Sequence, residues 1–141
     1  MSVNNPASPA DAAPLPRVEL GFVSKDNRLC DFLVSTFQFE TLASLDLPMG
    51  TLHRLQGYDT MFKVLVPNEP PQLAPRSAEF YGVTGIRFVT IRVTDLDGVV
   101  TRALQAGGRL ASGPHEPVPG VRIAMIEDPD GNLIEASQRQ P

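Results

Sequence analysis

The chain has 141 residues, of which 42% are hydrophobic and 20% charged, and its formal net charge is −4. The length predicts a single domain, and the acidic balance argues against a protein that binds nucleic acid through a basic face. The single cysteine, Cys30, excludes an internal disulfide framework and a cysteine-based zinc ribbon, and it fits a reducing, cytoplasmic location. No apolar run approaches the roughly 20 residues needed to span a bilayer, so we expect no membrane partner.

The N-terminal residues 1–16 are small, polar and rich in proline. Such a segment cannot bury enough apolar surface to offset the cost of ordering, so we predict a disordered tail. A single folded domain is predicted over 17–138. It divides into two modules that are joined by a linker over 67–85, a segment with four prolines and no periodicity.

The first module, residues 17–66, contains one helix pattern. Leu29, Leu33 and Phe37 recur at every fourth position, and Cys30 lies beside them as an expected small core residue. Apolar stretches before and after the helix predict four strands, over 18–23, 41–47, 51–55 and 60–66.

The second module, residues 86–138, repeats that order. Leu96 and Val99 begin a helical stripe, and Gly107 and Gly108 provide its C-terminal stop. The remaining segments predict strands over 86–93, 109–112, 121–127 and 132–137, a proline-rich loop over 113–120, and a tight turn over 128–131.

Each module therefore has the order βαβββ, and each leaves one face of its sheet uncovered. Two such modules together can cover that face. The prediction is an α+β fold in which paired βαβββ modules form an eight-stranded curved sheet around a cleft, with the helices outside.

The ending DPDGNLIEAS and the stretch FVTIRVTDLDGVVTRALQAGGRL resemble the vicinal oxygen chelate superfamily, which includes glyoxalase I, bleomycin-resistance proteins and extradiol dioxygenases. The resemblance covers about residues 18–138. It implies a cleft that holds a divalent metal, with His, Glu or Gln ligands on the first and last strand of each module. It also implies a possible homodimer.

In the second module, the resemblance assigns the two ligand positions to Phe88 and Glu135. The apolar positions that alternate with Phe88 pack on the helix, so Phe88, Thr90 and Arg92 are predicted to face the cleft. Leu133 shares the face of Glu135 and completes the predicted lining of this module.

In the first module, we favour Glu19 at the ligand position, because the opposite register would bury its carboxylate against the helix without a partner. The alternation along the fourth strand places Lys63 at the other ligand position, with Met61 and Leu65 beside it on the cleft face. Two registers of the first strand stay open, and only the favoured one places Glu19 on the cleft face.

The resulting set of Glu19, Lys63, Phe88 and Glu135 predicts that the family's usual metal site is lost. Phenylalanine has no donor, and an ammonium group repels a divalent cation. No cofactor is therefore expected. An alternative is a carboxylate metal site formed by Glu19, Glu135 and His53, if His53 points into the cleft. Otherwise His53, and His115 in the proline-rich loop, are expected to be surface or rim residues.

Two metal-free functions remain open, beside a lyase or dioxygenase that would use the carboxylate metal site of Glu19, Glu135 and His53. The first is a glyoxalase-like lyase or isomerase without metal, in which Glu135, Lys63 and Glu19 transfer a proton next to a carbonyl. In that enzyme Arg92 anchors an oxygen of the substrate. The second is a binding protein that sequesters a small molecule, as bleomycin-resistance proteins do. A structural alternative is that the charged trio of Glu19, Lys63 and Glu135 has no function beyond pairing the carboxylates with the ammonium group.

The cleft lining predicts the chemistry of the ligand in either class. Apolar side chains surround a few charged groups, so we expect a small organic molecule with a ring or chain and one polar end. These apolar residues are Phe88, Met61, Leu65 and Leu133. His53, on the third strand, is a further candidate for contact with the ligand.

Overall fold

The structure is a computed structural model, and it describes residues 15–75 and 79–141. The predicted tail lies outside the described residues except for Leu15 and Pro16, which belong to no regular element. The elements in chain order are β1 Leu20–Val23, α1 Arg28–Phe37, β2 Glu40–Leu47, β3 Gly50–Gly57, β4 Thr60–Pro67, β5 Phe88–Arg92, α2 Leu96–Gln105, β6 Arg109–Val118, β7 Val121–Glu127 and β8 Leu133–Arg139. In this part of the chain, neither helix has the length and hydropathy of a membrane span.

Each module forms its own four-stranded sheet. The strand orders are β1-β4-β3-β2 and β5-β8-β7-β6, so β1 and β5 are edge strands at equivalent positions. The first strand of each module pairs in parallel with the last, and the other pairs are antiparallel. The paired βαβββ modules of the predicted α+β fold are thus confirmed, but the eight strands are divided between two hydrogen-bonded sheets.

Helices α1 and α2 join the two modules. Leu29, Phe32 and Leu33 of α1 are fully buried and belong to one apolar core with Leu96 and Val99 of α2. Each helix covers one face of its own sheet, as expected, and the two helices also contact each other. Burial of these side chains is the main source of stability, at about 1.5–3 kcal/mol for each large one.

A close approach and a side-chain hydrogen bond reinforce the contact between the modules. Arg102 of α2 donates from Nε to the carbonyl oxygen of Thr36 at 3.1 Å. A Cβ atom added to Gly108 would lie 2.6 Å from Cε2 of Phe32, so only glycine allows this approach without a shift. Of the two glycines predicted to end the second helix, Gly108 therefore also shapes the junction between the modules.

The proline-rich loop predicted over 113–120 is wrong. Most of it belongs to β6, which includes His115. Two properties allow prolines there: β6 is an edge strand, and its pairing with β7 shifts register three times. Pro114 and Pro117 lack an N–H, which costs little at an edge or a bulge.

Asp128 organises the tight turn between β7 and β8. Its Oδ1 accepts hydrogen bonds from the backbone N–H groups of Asp130 and Asn132, each at 2.9 Å, and its Oδ2 accepts one from Nδ2 of Asn132 at 2.9 Å. Gly131 has a φ of 86°, a conformation that favours glycine. The turn predicted at this site is therefore present and fixed by one buried carboxylate.

Candidate functional site

Each sheet has one face that its helix does not cover, and we call these the first and second cleft faces. The first comprises the outward side chains around Glu19, Arg54 and Lys63, and the second those around Phe88 and Glu135. Leu20 and Phe22 pack on the core, so the residues that alternate with them lie on the first cleft face. Val89 and Ile91 likewise pack against the core, whereas Phe88, Thr90 and Arg92 are exposed on the other side.

Glu19 lies on the first cleft face between two cations. Its Oε1 is 3.6 Å from Nζ of Lys63, and its Oε2 accepts a hydrogen bond from Nε of Arg17 at 3.1 Å. These side chains are about one third exposed. The strand register is therefore the favoured one, with the carboxylate on the cleft side beside Lys63.

Glu135 lies on the second cleft face beside Thr90, its cross-strand neighbour. Oγ1 of Thr90 donates to Oε1 of Glu135 at 3.0 Å. Phe88 and Leu133 form the cross-strand pair two residues before Thr90 and Glu135, on the same face. The two faces thus present two separate polar pairs, each flanked by apolar side chains.

The three predicted catalytic residues do not come together within one chain. Among the described residues, Lys63 forms an ion pair with Glu19 and Glu135 hydrogen bonds to Thr90, and no contact joins Lys63 to Glu135. The reason is the architecture: the two sheets meet through their helices, so the uncovered faces belong to different sheets. The expected inner-strand pairing of Lys63 with Glu135 is absent from the single chain.

His53 lies on the helix side of the first sheet. Its cross-strand partner is Val64, which is fully buried in the core, and directly opposed residues share one face. The sheet therefore separates His53 from Glu19. The expected placement of His53 in the cleft, as a lining residue or a metal ligand, is wrong because the register of the β3–β4 hairpin points it the other way.

The residues at the family's ligand positions do not fit a resident divalent metal. Phe88 offers no donor, and the Lys63 ammonium group lies within 4 Å of the Glu19 carboxylate. Of the part of the chain that the structure describes, no group of three or more His, Cys, Asp or Glu side chains is arranged to hold an ion.

Two residues on the cleft faces were not expected from the sequence. His115 of β6 is one of them. A row of directly paired residues runs across the sheet from His115 through Ile123 and Ser137 to Arg92, so His115 and Arg92 lie on the same face. Arg54 of β3 lies directly opposite Lys63. A hairpin turn at Gly57–Thr60 implies this pairing, and recognising that turn would have revealed Arg54.

A cleft of about 800 Å³ lies where β1 approaches the second sheet. Phe88 lines it from the second cleft face and is 44% exposed, and the ring of Phe80 stands edge-on to Phe88 with centroids 5.7 Å apart. Arg109 and Glu127 form an ion pair at the lining. Of the predicted lining residues, Phe88 and Leu133 border this cleft, whereas Met61 and Leu65 lie on the first cleft face away from it.

Comparison with known proteins relates this architecture to one family. The family model described as the glyoxalase/bleomycin resistance protein/dioxygenase superfamily matches residues 20–136. No curated protein matches the chain.

Three solved structures illustrate the likeness. TnmS3, an antibiotic-binding protein from Streptomyces sp. CB03234, is 26% identical, with 92% of this chain and 100% of that chain covered and a TM-score of 0.63. A glyoxalase family protein from Bacillus cereus is 17% identical, with coverages of 95% and 100% and a TM-score of 0.73. TioX from Micromonospora sp. ML1 is 22% identical, with coverages of 89% and 98% and a TM-score of 0.61. With the matched model spanning both modules, the chain belongs to the glyoxalase/bleomycin resistance protein/dioxygenase superfamily.

Proposed function

We propose that this protein binds a small organic molecule between its cleft faces and holds it without chemical change. The observation that carries the proposal is the exposed aromatic ring of Phe88 at a position where the family places a metal ligand. A ring there offers an apolar contact surface and no Lewis acid. Apolar walls with a few polar groups are typical of sites for organic ligands, and the likeness to an antibiotic-binding protein supports the same class.

The site works without a resident metal in this proposal. The ligand positions hold two carboxylates, an ammonium group and a phenyl ring, and Glu19 is already paired with Lys63 and Arg17. Protein purified without chelator should carry less than about half an equivalent of Zn, Ni, Fe or Mn by elemental analysis. Stoichiometric metal that disappears in Glu135→Ala would favour a carboxylate metal site instead.

A second copy of the chain completes the cleft. The outer edges of β1 and β5 have no strand partner among the described residues, and an open sheet edge is a template for pairing with another chain. If two copies pair through these edges, the second cleft face of one copy adjoins the first cleft face of the other, and Glu135 moves toward Lys63. This arrangement unites the charged trio that the single chain leaves divided.

The decisive experiment measures both binding and the fate of the ligand. A panel of aromatic and aliphatic antibiotics is titrated by calorimetry, and each bound compound is then recovered and weighed by mass spectrometry. We expect binding of an aromatic member, recovery of the intact compound, and a loss of affinity of about tenfold in Phe88→Ala. Leu104→Ala is the control, since Leu104 is an exposed apolar residue of α2 outside the cleft lining.

The competing proposal is a metal-free lyase or isomerase. The hydrogen bond from Thr90 to Glu135 favours it, because this bond orients a carboxylate that is able to accept a proton. Recovery of a chemically changed compound would contradict sequestration. If turnover is also lost in Glu135→Gln while affinity persists, the protein is an enzyme that uses Glu135. An affinity change alone in Glu135→Gln supports the binding protein.

A further inference from the structure

The first cleft face carries two cations directly opposite each other. Arg54 of β3 and Lys63 of β4 are cross-strand partners, so their side chains leave the sheet on the same side. Like charges in that position destabilise a sheet. Glu19 is the carboxylate within reach of Lys63, and it is shared with Arg17. The face therefore has a local excess of positive charge in a protein whose net charge is −4.

Arg54 is held in a fixed direction. Its Nε donates a hydrogen bond to the carbonyl oxygen of Ala43 at 2.9 Å. Ala43 lies at an irregularity of β2, where the pairing register shifts between Leu42 and Leu45. Bulges re-aim backbone and side chains next to binding sites. Among the described residues, neither Nη group of Arg54 has a hydrogen-bond or ion-pair partner, so two donor groups stay available.

Apolar side chains flank one side of this pair. Leu42 lies opposite Arg54 on β2, and the cross-strand pair of Leu52 and Leu65 is two positions further along the same face. Arg54 itself is half-buried. Lower local polarity strengthens an ionic hydrogen bond relative to one in water. A group that could pair with these cations would gain more here than on an open surface.

We propose that Arg54 and Lys63 bind an anionic group of the ligand, such as a carboxylate, sulfonate or phosphate. The proposal rests on the proposed binding function and specifies its ligand class: an organic molecule with an apolar body and an acidic end. The guanidinium group supplies two parallel donors that match two oxygens of the anion, and the ammonium group adds a point charge. Arg54 is thereby a binding residue that fixes the orientation of the ligand.

The test compares two fluorescent probes with the same aromatic body. One is 8-anilinonaphthalene-1-sulfonate, which carries a sulfonate, and the other is N-phenyl-1-naphthylamine, which is neutral. We expect the protein to bind the sulfonate more tightly. Arg54→Gln should weaken sulfonate binding about tenfold and leave the neutral probe unchanged, since one charge-assisted hydrogen-bonded contact is lost. Arg54→Lys keeps the charge but lacks the two parallel donors of the guanidinium group, and it should give an intermediate loss of sulfonate affinity.

Arg28→Gln is the matched control, because it removes the same charge from an exposed position at the start of α1. Equal binding of both probes, with no effect of Arg54→Gln, would overturn the anion site and leave the binding function standing. Binding of neither probe would count against both proposals. Arg54→Gln that weakens self-association instead of sulfonate binding would assign Arg54 to a contact between copies and overturn the anion site.

Discussion

The charge of Lys63, on the first cleft face, can affect either folding stability or ligand binding. Its side chain is 38% exposed, and its Nζ lies 3.6 Å from a carboxylate oxygen of Glu19. An ion pair with this exposure contributes little to folding, typically below about 1 kcal/mol. Its charge therefore matters for what the face binds more than for how the sheet folds.

Lys63→Met separates these two roles, since methionine retains the packing of the aliphatic stem. We expect the free energy of unfolding to change by less than about 1 kcal/mol, and affinity for 8-anilinonaphthalene-1-sulfonate to fall. Urea unfolding and fluorescence titration measure the two quantities. Lys25→Met is the control, because Lys25 is the other lysine of the chain and is exposed. Unchanged affinity beside altered stability would make the ion pair with Glu19 purely structural.

At this scale the sequence reveals some site residues and hides others. Strand alternation was enough to place Thr90, because a helix covers one side of the sheet and apolar residues mark that side. For Glu19, the cost of burying an unpaired carboxylate decided between two registers.

The faces of His53 and Arg54 could not be predicted from alternation. The two leucines of β3, Leu52 and Leu55, lie on opposite faces, so they do not mark the core side of the strand, and its register depends on the hairpin turn. A shift of one residue exchanges the faces of such a strand.

Among the elements, the contact of α1 with the end of α2 depends on Gly108. An alanine Cβ at this position would lie 2.6 Å from Cε2 of Phe32 and 3.0 Å from the carbonyl oxygens of Ala103 and Glu127. We expect Gly108→Ala to lower the free energy of unfolding by about 1–3 kcal/mol, since backbone atoms cannot move aside as a flexible side chain does.

Gly21→Ala provides the comparison for this prediction, because nothing lies within 4 Å of a Cβ added there. Denaturant unfolding of both variants beside the wild type measures the difference. If Gly108→Ala were as stable as Gly21→Ala, the two modules could not approach each other as closely as described.

The turn at Asp128 predicts a pH dependence of stability. Burial raises the pKa of Asp128 from its ordinary value of 3.8 to about 6, although hydrogen bonds from Asn132 and Asp130 oppose the shift. Because the folded state holds this proton more tightly than the unfolded state, the stabilisation is complete below about pH 4 and is lost as the pH rises through about 6. A shift of this size corresponds to at most about 3 kcal/mol.

Urea unfolding at a series of pH values between 4 and 7 should show this loss in the wild type. In Asp128→Asn the slope over that range should be smaller, whatever the overall stability of the variant. Asp46→Asn, at an exposed carboxylate, should keep the wild-type slope. Identical slopes in the wild type and Asp128→Asn would show that the carboxylate stays ionised in the folded state.

Element order was largely predictable, since both helices and all eight strands follow from apolar periodicity and turn residues. The exception is β6, where prolines suggested a loop over 113–120. Composition does not reveal that a strand lies at the edge of a sheet, where a missing N–H is tolerated. The division into two sheets was likewise hidden, because it depends on how the helices pack and not on any local pattern.

At the scale of the whole molecule, aliphatic side chains next to the edge strands β1 and β5 remain exposed. Val18 and Ile86 each lie two residues before the start of an edge strand, and they are 84% and 83% exposed. Val23 in β1 is 57% exposed. Large apolar side chains at equivalent places beside open edges are what an interface between two copies would cover.

We therefore expect the protein to have twice the mass of one chain in light scattering coupled to size exclusion, at micromolar concentration. Ile86→Asp should shift the mass to that of one chain, because a charge buried at the interface without a partner is costly. Since Ile86 is exposed in the single chain, the same change should leave the fold of each chain intact by circular dichroism. Leu104→Asp, at an exposed position of α2, should remain dimeric. A wild-type protein with the mass of one chain, or an Ile86→Asp variant that stays dimeric, would contradict pairing through these edges, and the cleft would then have to bind its ligand within a single copy.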